Sequence, residues 1–265
     1  MNMFQSSVGI LGYRGFLGSA IYKVLRGSER LKIYGIDRNN WKDYSSFNFD
    51  YFIDADGNSS KFEATKNMSL DLELNALTEA KVLDYFSFDK MILISTIDVY
   101  NDKSIPQNNS EDSIIDPLSL SNYGFSKYIR ELLVQRHAKN WLILRLGGLI
   151  GVGLKKGPVY DIINHEMLYV SKESKFQFIN TTTVAYIILQ LLTKTHRNQV
   201  FNITGRGSIS MMEFACLAGK KILREGGALE DINVSVEKIS EIINLPATKD
   251  EIIRFLEGNN KNEFK

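Results

Sequence analysis

The sequence is poor in cysteine, in long apolar runs and in net charge. Its single cysteine, Cys216, cannot form an internal disulfide, and no histidine stands beside it as a catalytic thiol would require. We therefore expect Cys216 to be a buried helix residue. The three histidines lack the spacing of metal ligands, so no metal site is predicted.

Two further absences narrow the class of protein. No apolar run approaches the ~20 residues of a membrane helix, and the N-terminus lacks a basic segment followed by an apolar one. This predicts a cytoplasmic protein with no membrane partner. A net charge of +1 gives no electrostatic basis for binding nucleic acid. The 265 residues, 44% of them hydrophobic, are enough to bury a full core.

Apolar runs and helical patterns alternate along the chain. Strands are predicted at residues 7–11, 31–36, 51–55, 91–95 and 141–146, and the first helix at 16–25. This alternation predicts an α/β fold with a Rossmann-like, doubly wound parallel sheet. We expect a dinucleotide-binding domain over residues 1–150 and a small C-terminal substrate-binding lobe over residues 151–265. A segment at about 176–205 is expected to return to the first domain.

A glycine-rich turn joins the first predicted strand to the first helix. Its glycines permit a tight turn, a close approach of the backbone to a pyrophosphate, and close packing of the helix on the sheet. The N-terminus of the helix then presents its N–H groups to the anion. The turn predicts a dinucleotide site, although a glycine turn without a ligand is the alternative. The predicted cofactor contacts are Gly12, Arg14, Gly15, Phe16, Leu17 and Gly18.

The choice between NAD and NADP depends on three charged residues. Asp37 ends the second strand, where a carboxylate accepts hydrogen bonds from ribose hydroxyls and repels a 2′-phosphate. This favours NAD. Arg14 and Arg38 lie within reach of a 2′-phosphate, which a guanidinium binds well, so NADP stays open.

The segment after the third strand is predicted to line the same cleft. Ala55, Asp56 and Gly57 are expected to form backbone walls around the cofactor. Asn58 follows at the mouth of the cleft and is a predicted substrate contact, although turn chemistry alone also explains it.

The pair Tyr123 and Lys127 predicts proton-transfer chemistry. Residues four apart share one face of a helix, so the phenol and the ammonium can point into the same cleft. A free phenol has a pKa near ~10. A neighbouring ammonium and an oxidised nicotinamide ring favour phenolate and are expected to lower that pKa. Taken alone, the pair also fits an ordinary amphipathic helix.

Together these motifs resemble the extended short-chain dehydrogenase/reductases, the NAD-dependent epimerase/dehydratase family that works mainly on nucleotide sugars. The resemblance covers nearly the whole chain. The glycine turn is particularly similar to that of the GDP-fucose synthase branch, whose arginine there helps hold NADPH. The matching positions are Gly12, Gly15, Gly18, Asn75, Thr96 in Thr96-Ile-Asp-Val-Tyr100, Tyr123, Lys127 and Asn202, the last in a late strand predicted at residues 200–205.

The resemblance implies a catalytic triad of Thr96, Tyr123 and Lys127. Tyr123 would exchange a proton with a sugar hydroxyl or carbonyl oxygen while a hydride passes between that carbon and the nicotinamide. Thr96 would orient the same oxygen and so contact substrate, and Lys127 would hold the nicotinamide ribose and lower the pKa of the phenol. The implied cofactor is NAD, with NADP possible.

Three functions remain open at this point. A dehydratase of this family normally has Asp-Glu directly after the catalytic Ser or Thr, and Ile97-Asp98 stands there instead. The chain is short for an epimerase, which slightly favours a reductase acting on a nucleotide-sugar substrate, with an epimerase as the alternative. A non-catalytic NAD(P)-sensing protein is the further alternative, although its mark would be loss of the tyrosine or the lysine. A homodimer is expected.

The remaining substrate contacts are predicted from loops. The long irregular stretch at residues 101–122 joins Thr96 to Tyr123 and is expected to form part of the substrate wall. Five glycines between residues 147 and 157 suggest a mobile flap. Lys155, Lys156 and Arg145 are predicted to meet the diphosphate. The alternative is a pair of solvated loop lysines and a structural arginine.

Departures from the family pattern affect the predicted substrate contacts and leave the triad unchanged. They are Asn101, Gly147, Gly148 and Thr183.

Overall fold

The computed structural model describes residues 5–260, and its regular elements alternate as expected. The ten strands are β1 (Ser6–Leu11), β2 (Leu31–Ile36), β3 (Asn48–Asp54), β4 (Ser87–Thr96), β5 (Trp141–Leu146), β6 (Gly148–Ile150), β7 (Lys175–Phe176), β8 (Phe178–Asn180), β9 (Gln199–Ile203) and β10 (Ile209–Ser210). The α-helices are α1 (Phe16–Leu25), α2 (Lys61–Lys66), α3 (Met68–Leu72), α4 (Thr78–Tyr85), α5 (Asn122–His137), α6 (Pro158–Ile163), α7 (Thr181–Leu192), α8 (Met211–Leu217), α9 (Glu237–Ser240) and α10 (Thr248–Asn260).

Six strands form the central parallel sheet, in the order β2-β1-β3-β4-β5-β9. The direction of winding reverses between β1 and β3. In open α/β sheets, ligands bind outside the carboxyl ends of the strands at such a switch point. The predicted α/β class and Rossmann-like parallel sheet are confirmed. All six predicted strands are present, β2 and β5 with the predicted bounds.

One face of the sheet packs on an aromatic cluster. Phe49 and Phe52 of β3 are fully buried there, and the Phe52 and Phe86 rings lie 4.8 Å apart. Trp41 packs on Phe86 at 4.9 Å, and Trp141 at the start of β5 belongs to the same cluster. Burial of such rings contributes a large share of core stability.

The chain divides into two compact units. Among the described residues, the first unit comprises those up to Asn101, Ile114–Arg145 and Val184–Phe201. The second comprises Asp102–Ser113, Leu146–Thr183 and the described residues from Asn202 onward. The second unit contains the two-stranded sheets β6-β8 and β10-β7. The boundary expected near residue 150 stays a prediction.

Two details of the second unit concern earlier expectations. Asn109, from the long irregular stretch, is fully buried, where its amide donates to the Asn233 carbonyl (3.2 Å) and its Oδ1 accepts from the Ser235 N–H (2.8 Å). Cys216 lies on α8 as expected but is exposed, so the prediction of burial is wrong. The buried face of α8 is formed by Met211, Phe214 and Ala215, and Cys216 falls outside it.

The part of the chain that the structure describes contains no helix long and apolar enough to cross a membrane.

Candidate active site

The end of β4 and the start of α5 meet closely. Thr96 is the last residue of β4, and α5 begins at Asn122 with the Ser121 hydroxyl accepting from the Gly124 N–H (3.1 Å). A Cβ on Gly124 would lie 2.3 Å from the Asp98 carbonyl oxygen, which only glycine permits. This close approach brings Tyr123 beside Thr96.

The three predicted triad residues come together. Tyr123 and Lys127 are 8% and 6% exposed, on the buried face of α5. The Lys127 Nζ lies 5.7 Å from the centre of the Tyr123 ring, and the Thr96 side chain lies beside the Tyr123 phenol. Helical spacing therefore places both α5 side chains as the sequence predicts.

The protonation of this group differs from the sequence expectation. Burial raises the pKa of the Tyr123 phenol, and the nearby Asp98 and Asp71 charges raise it further. The predicted lowering by Lys127 is wrong for the chain alone. Burial lowers the pKa of Lys127 to about 7, and the Arg130 charge acts in the same direction.

Asp98 is a charged neighbour that sequence reasoning treated only as a departure from the dehydratase pair. The Thr96 hydroxyl donates to Asp98 Oδ2 (3.2 Å) and accepts from the Asp98 N–H (3.2 Å). Lys61 Nζ lies 2.9 Å from Asp98 Oδ1. The spacing Thr-x-Asp at the start of a helical turn is the capping pattern that signals this contact. A carboxylate therefore fixes the Thr96 hydroxyl.

The glycine turn fits a dinucleotide pyrophosphate. Gly12 has φ +76°, and a Cβ there would lie 2.9 Å from the Ala55 carbonyl oxygen. A Cβ on Gly18 would lie 2.1 Å from the Gly12 carbonyl oxygen. Gly15, the N-cap of α1, offers no side chain to the first N–H groups of the helix. Those groups and the positive end of the helix suit an anion.

Two apolar residues of the turn follow Gly15. Phe16 begins α1 and is half-buried, while Leu17 is buried in the core. The cofactor contact expected of Leu17 stays a prediction, and with its side chain buried it would be a contact of the backbone.

Asp37 and Arg14 form an ion pair, although from the sequence Asp37 favours NAD and Arg14 favours NADP. Asp37 Oδ2 lies 2.8 Å from Arg14 Nε, whose hydrogen bond is donated to the Tyr13 hydroxyl (2.9 Å). Asp37 Oδ1 accepts from the Asn39 N–H (2.8 Å). Arg38 is exposed. Arg14 partly neutralises the carboxylate that is expected to repel a 2′-phosphate.

The segment after β3 forms the other side of the switch point. The Ala55 N–H donates to the Leu11 carbonyl (3.1 Å), and the Asp56 N–H donates to Asp54 Oδ1 (2.9 Å). Gly57 has φ +109°, a conformation that requires glycine.

Asn58 is engaged in local turn chemistry. Its Nδ2 donates to Asp71 Oδ1 (2.7 Å), and its Oδ1 accepts from the Ser60 N–H (2.9 Å). This is the structural alternative that the sequence left open.

The predicted diphosphate contacts belong to different units: Arg145 to the first, Lys155 and Lys156 to the second. Arg145 is 3% exposed, and its guanidinium binds both carboxylate oxygens of Glu131 and the Tyr100 hydroxyl (2.9 Å). These partners support the structural alternative that the sequence left open for Arg145. Lys155 and Lys156 are exposed in the second unit.

The sequence matches the model of the NAD dependent epimerase/dehydratase family over residues 8–204, well over half of the chain. The chain belongs to this family. A search of curated protein sequences finds no match.

Solved structures share the fold at low sequence identity. A dTDP-4-dehydrorhamnose reductase from Bacillus anthracis, in complex with NADP, matches with a TM-score of 0.81 and 18% identity over 97% of this chain and 100% of that chain. A UDP-glucuronic acid 4-epimerase from Bacillus cereus, in complex with UDP-glucuronic acid and NAD, matches with a TM-score of 0.79 and 18% identity, over 97% and 99%. MoeE5 in complex with UDP-glucose and NAD matches with a TM-score of 0.83 and 18% identity, over 97% of this chain and 99% of that chain.

Proposed function

We propose that this chain interconverts a carbonyl and an alcohol on a nucleotide sugar, with net reduction as the leading reaction and NAD(H) as the cofactor. The observation that carries the proposal is the contact group of Thr96, Tyr123 and Lys127 at the carboxyl end of β4. This is the edge of the sheet at which the glycine turn and the Ala55–Gly57 segment lie.

Each triad residue has a role that follows from its surroundings. The nicotinamide supplies hydride transfer when it is bound. Tyr123 donates the proton of its hydroxyl to the substrate oxygen, and Thr96 turns its hydroxyl proton from Asp98 Oδ2 to hydrogen-bond the same oxygen. Lys127 holds the nicotinamide ribose through its side-chain nitrogen.

The protonation of Tyr123 supports reduction. Because burial raises the pKa of its phenol, Tyr123 keeps its proton at neutral pH and is ready to donate it to a carbonyl oxygen. Epimerisation is the second candidate, since epimerases are among the similar structures over nearly their whole length. Because this chain covers nearly the whole length of those epimerases, its own length is a weaker argument against epimerisation.

The cofactor and partner assignments follow the same reasoning. The three similar structures described above hold NAD or NADP, and two of these three hold a UDP-linked sugar. Asp37 favours NAD, while its pairing with Arg14 keeps NADP as the alternative. A homodimer stays a prediction, which sedimentation equilibrium tests.

Turnover of 4-keto sugars linked to UDP or dTDP tests the proposal. We expect NADH oxidation with at least one of them, and a loss of about 10²- to 10⁴-fold in kcat for Tyr123→Phe with NAD affinity retained. Tyr128→Phe, a half-buried tyrosine on the same helix, is the matched control. Sugar interconversion without net NADH oxidation, followed by NMR, would instead identify an epimerase. Cofactor binding with no turnover of any sugar would favour the sensing alternative.

A further inference from the structure

A buried ionic cluster lies behind the triad, and the proposed reaction does not use it. Arg130 follows Lys127 by three residues on the buried face of α5 and is 2% exposed. Its Nη2 lies 2.6 Å from Asp54 Oδ1, and its Nε donates to the Glu79 carboxylate. One guanidinium thus joins the end of β3 to α4.

Stability alone is a poor explanation for this cluster. A buried ion pair often contributes no more than well-packed apolar residues of similar volume. Burial raises the pKa of the Glu79 carboxyl, and the nearby Asp54 carboxylate raises it further, against the lowering effect of the Arg130 charge. Two acidic side chains held together in the interior are costly, so a role beyond stability is expected.

The third contact of Arg130 reaches the cofactor side of the fold. Its Nη1 donates to the Asp56 carbonyl oxygen at 2.6 Å. A Cβ on Gly57 would lie 2.8 Å from Arg130 Nη1 and 3.1 Å from Lys127 Nζ. The Ala55–Gly57 turn therefore rests on the guanidinium and beside the triad lysine.

We propose that Arg130 is a positioning residue that fixes the Ala55–Gly57 turn. A guanidinium presents donors in three fixed directions, here to Asp54, Glu79 and the Asp56 carbonyl. A lysine ammonium at the same position has one nitrogen and cannot span all three. The consequence for nucleotide affinity rests on the proposed function, because it assumes that this turn lines the cofactor site.

Arg130→Lys tests the proposal, with Arg145→Lys as the matched control. Both substitutions keep the charge and remove a buried guanidinium fork, but Arg145 binds Glu131 and Tyr100 and does not touch the turn. The first readout is hydrogen–deuterium exchange in the peptide covering residues 54–60. The second is the Kd for NAD by calorimetry.

We expect Arg130→Lys to speed exchange in that peptide about 10-fold and to raise the Kd for NAD about 10-fold, with neither change in Arg145→Lys. Unchanged exchange in Arg130→Lys overturns the proposal, as does equal acceleration in the control. If Arg130→Lys does not fold, Glu79→Gln retains Arg130 but weakens its anchor, and faster exchange in the same peptide is expected. A wild-type chain that binds no NAD contradicts the proposed function, while the exchange result still decides the role of Arg130.

Discussion

Replacing Lys127 with methionine is expected to stabilise the fold while abolishing turnover. Methionine keeps a similar length and removes a charge that is costly to bury. Burial lowers the pKa of Lys127 from 10.5 to about 7, a difference of about 3.5 units. At ~1.36 kcal/mol per unit, the penalty is at most about 5 kcal/mol. The free energy of unfolding should rise by a substantial part of that amount.

The effect has a defined dependence on pH. The unfolded chain binds the lysine proton up to a pKa of 10.5, whereas the folded chain binds it only below about 7. Between these values the unfolded state holds more protons, so the contribution of Lys127 to stability increases with pH. The penalty is complete below pH ~7 and is lost as the pH approaches ~10.5. The free energy of unfolding of Lys127→Met should therefore exceed that of wild type by most at acidic pH.

Urea unfolding followed by circular dichroism at about pH 6 and about pH 9.5 measures this difference. Lys139→Met, at an exposed position just after α5, is the control and should show no pH-dependent gain. A Lys127→Met chain less stable than wild type at pH 6, or a gain that does not shrink with pH, would refute the argument from burial.

Two further predictions concern binding. Asp37→Ala removes the repulsion of a 2′-phosphate and releases Arg14. Titrations should therefore show a smaller difference in affinity between NAD(H) and NADP(H) than in wild type. A wild type that prefers NADP(H) tenfold, about 1.4 kcal/mol, would contradict the assignment of Asp37. Replacing Lys155 and Lys156 together with alanine should raise KM for the nucleotide sugar more than it lowers kcat, because uniform binding is lost. The control is the same double substitution at another adjacent lysine pair, Lys220 and Lys221. An unchanged KM in the first variant would make Lys155 and Lys156 ordinary loop residues.

The parts of the fold that depend on local sequence were predictable. β2 and β5 are continuous apolar runs, and their predicted bounds match the structure. The glycine turn needs only a few neighbouring residues to be recognised. Tyr123 and Lys127 were paired correctly because helical spacing alone places them on one face.

The parts that depend on distant partners were not predictable. Arg130 meets Glu79 across 51 positions, and Arg145 meets Glu131 through tertiary packing. Burial, which reverses the expected pKa shift of Tyr123, leaves no mark in a local pattern.

Two glycines that depart from the family pattern also have tertiary causes. A Cβ on Gly147 would lie 2.4 Å from the Thr204 hydroxyl, and one on Gly148 would lie 2.6 Å from the Phe178 ring. Close packing in the second unit therefore accounts for both glycines.

The aromatic cluster gives the chain a built-in optical reporter. The sequence has two tryptophans, Trp41 and Trp141, and both belong to that cluster in the first unit. Intrinsic tryptophan emission therefore follows the first unit alone. Cys216, the single thiol of the sequence, is exposed on α8 in the second unit, where a thiol-coupled dye would follow that unit separately. One titration on the unsubstituted chain can thus show whether a nucleotide stabilises one unit or both.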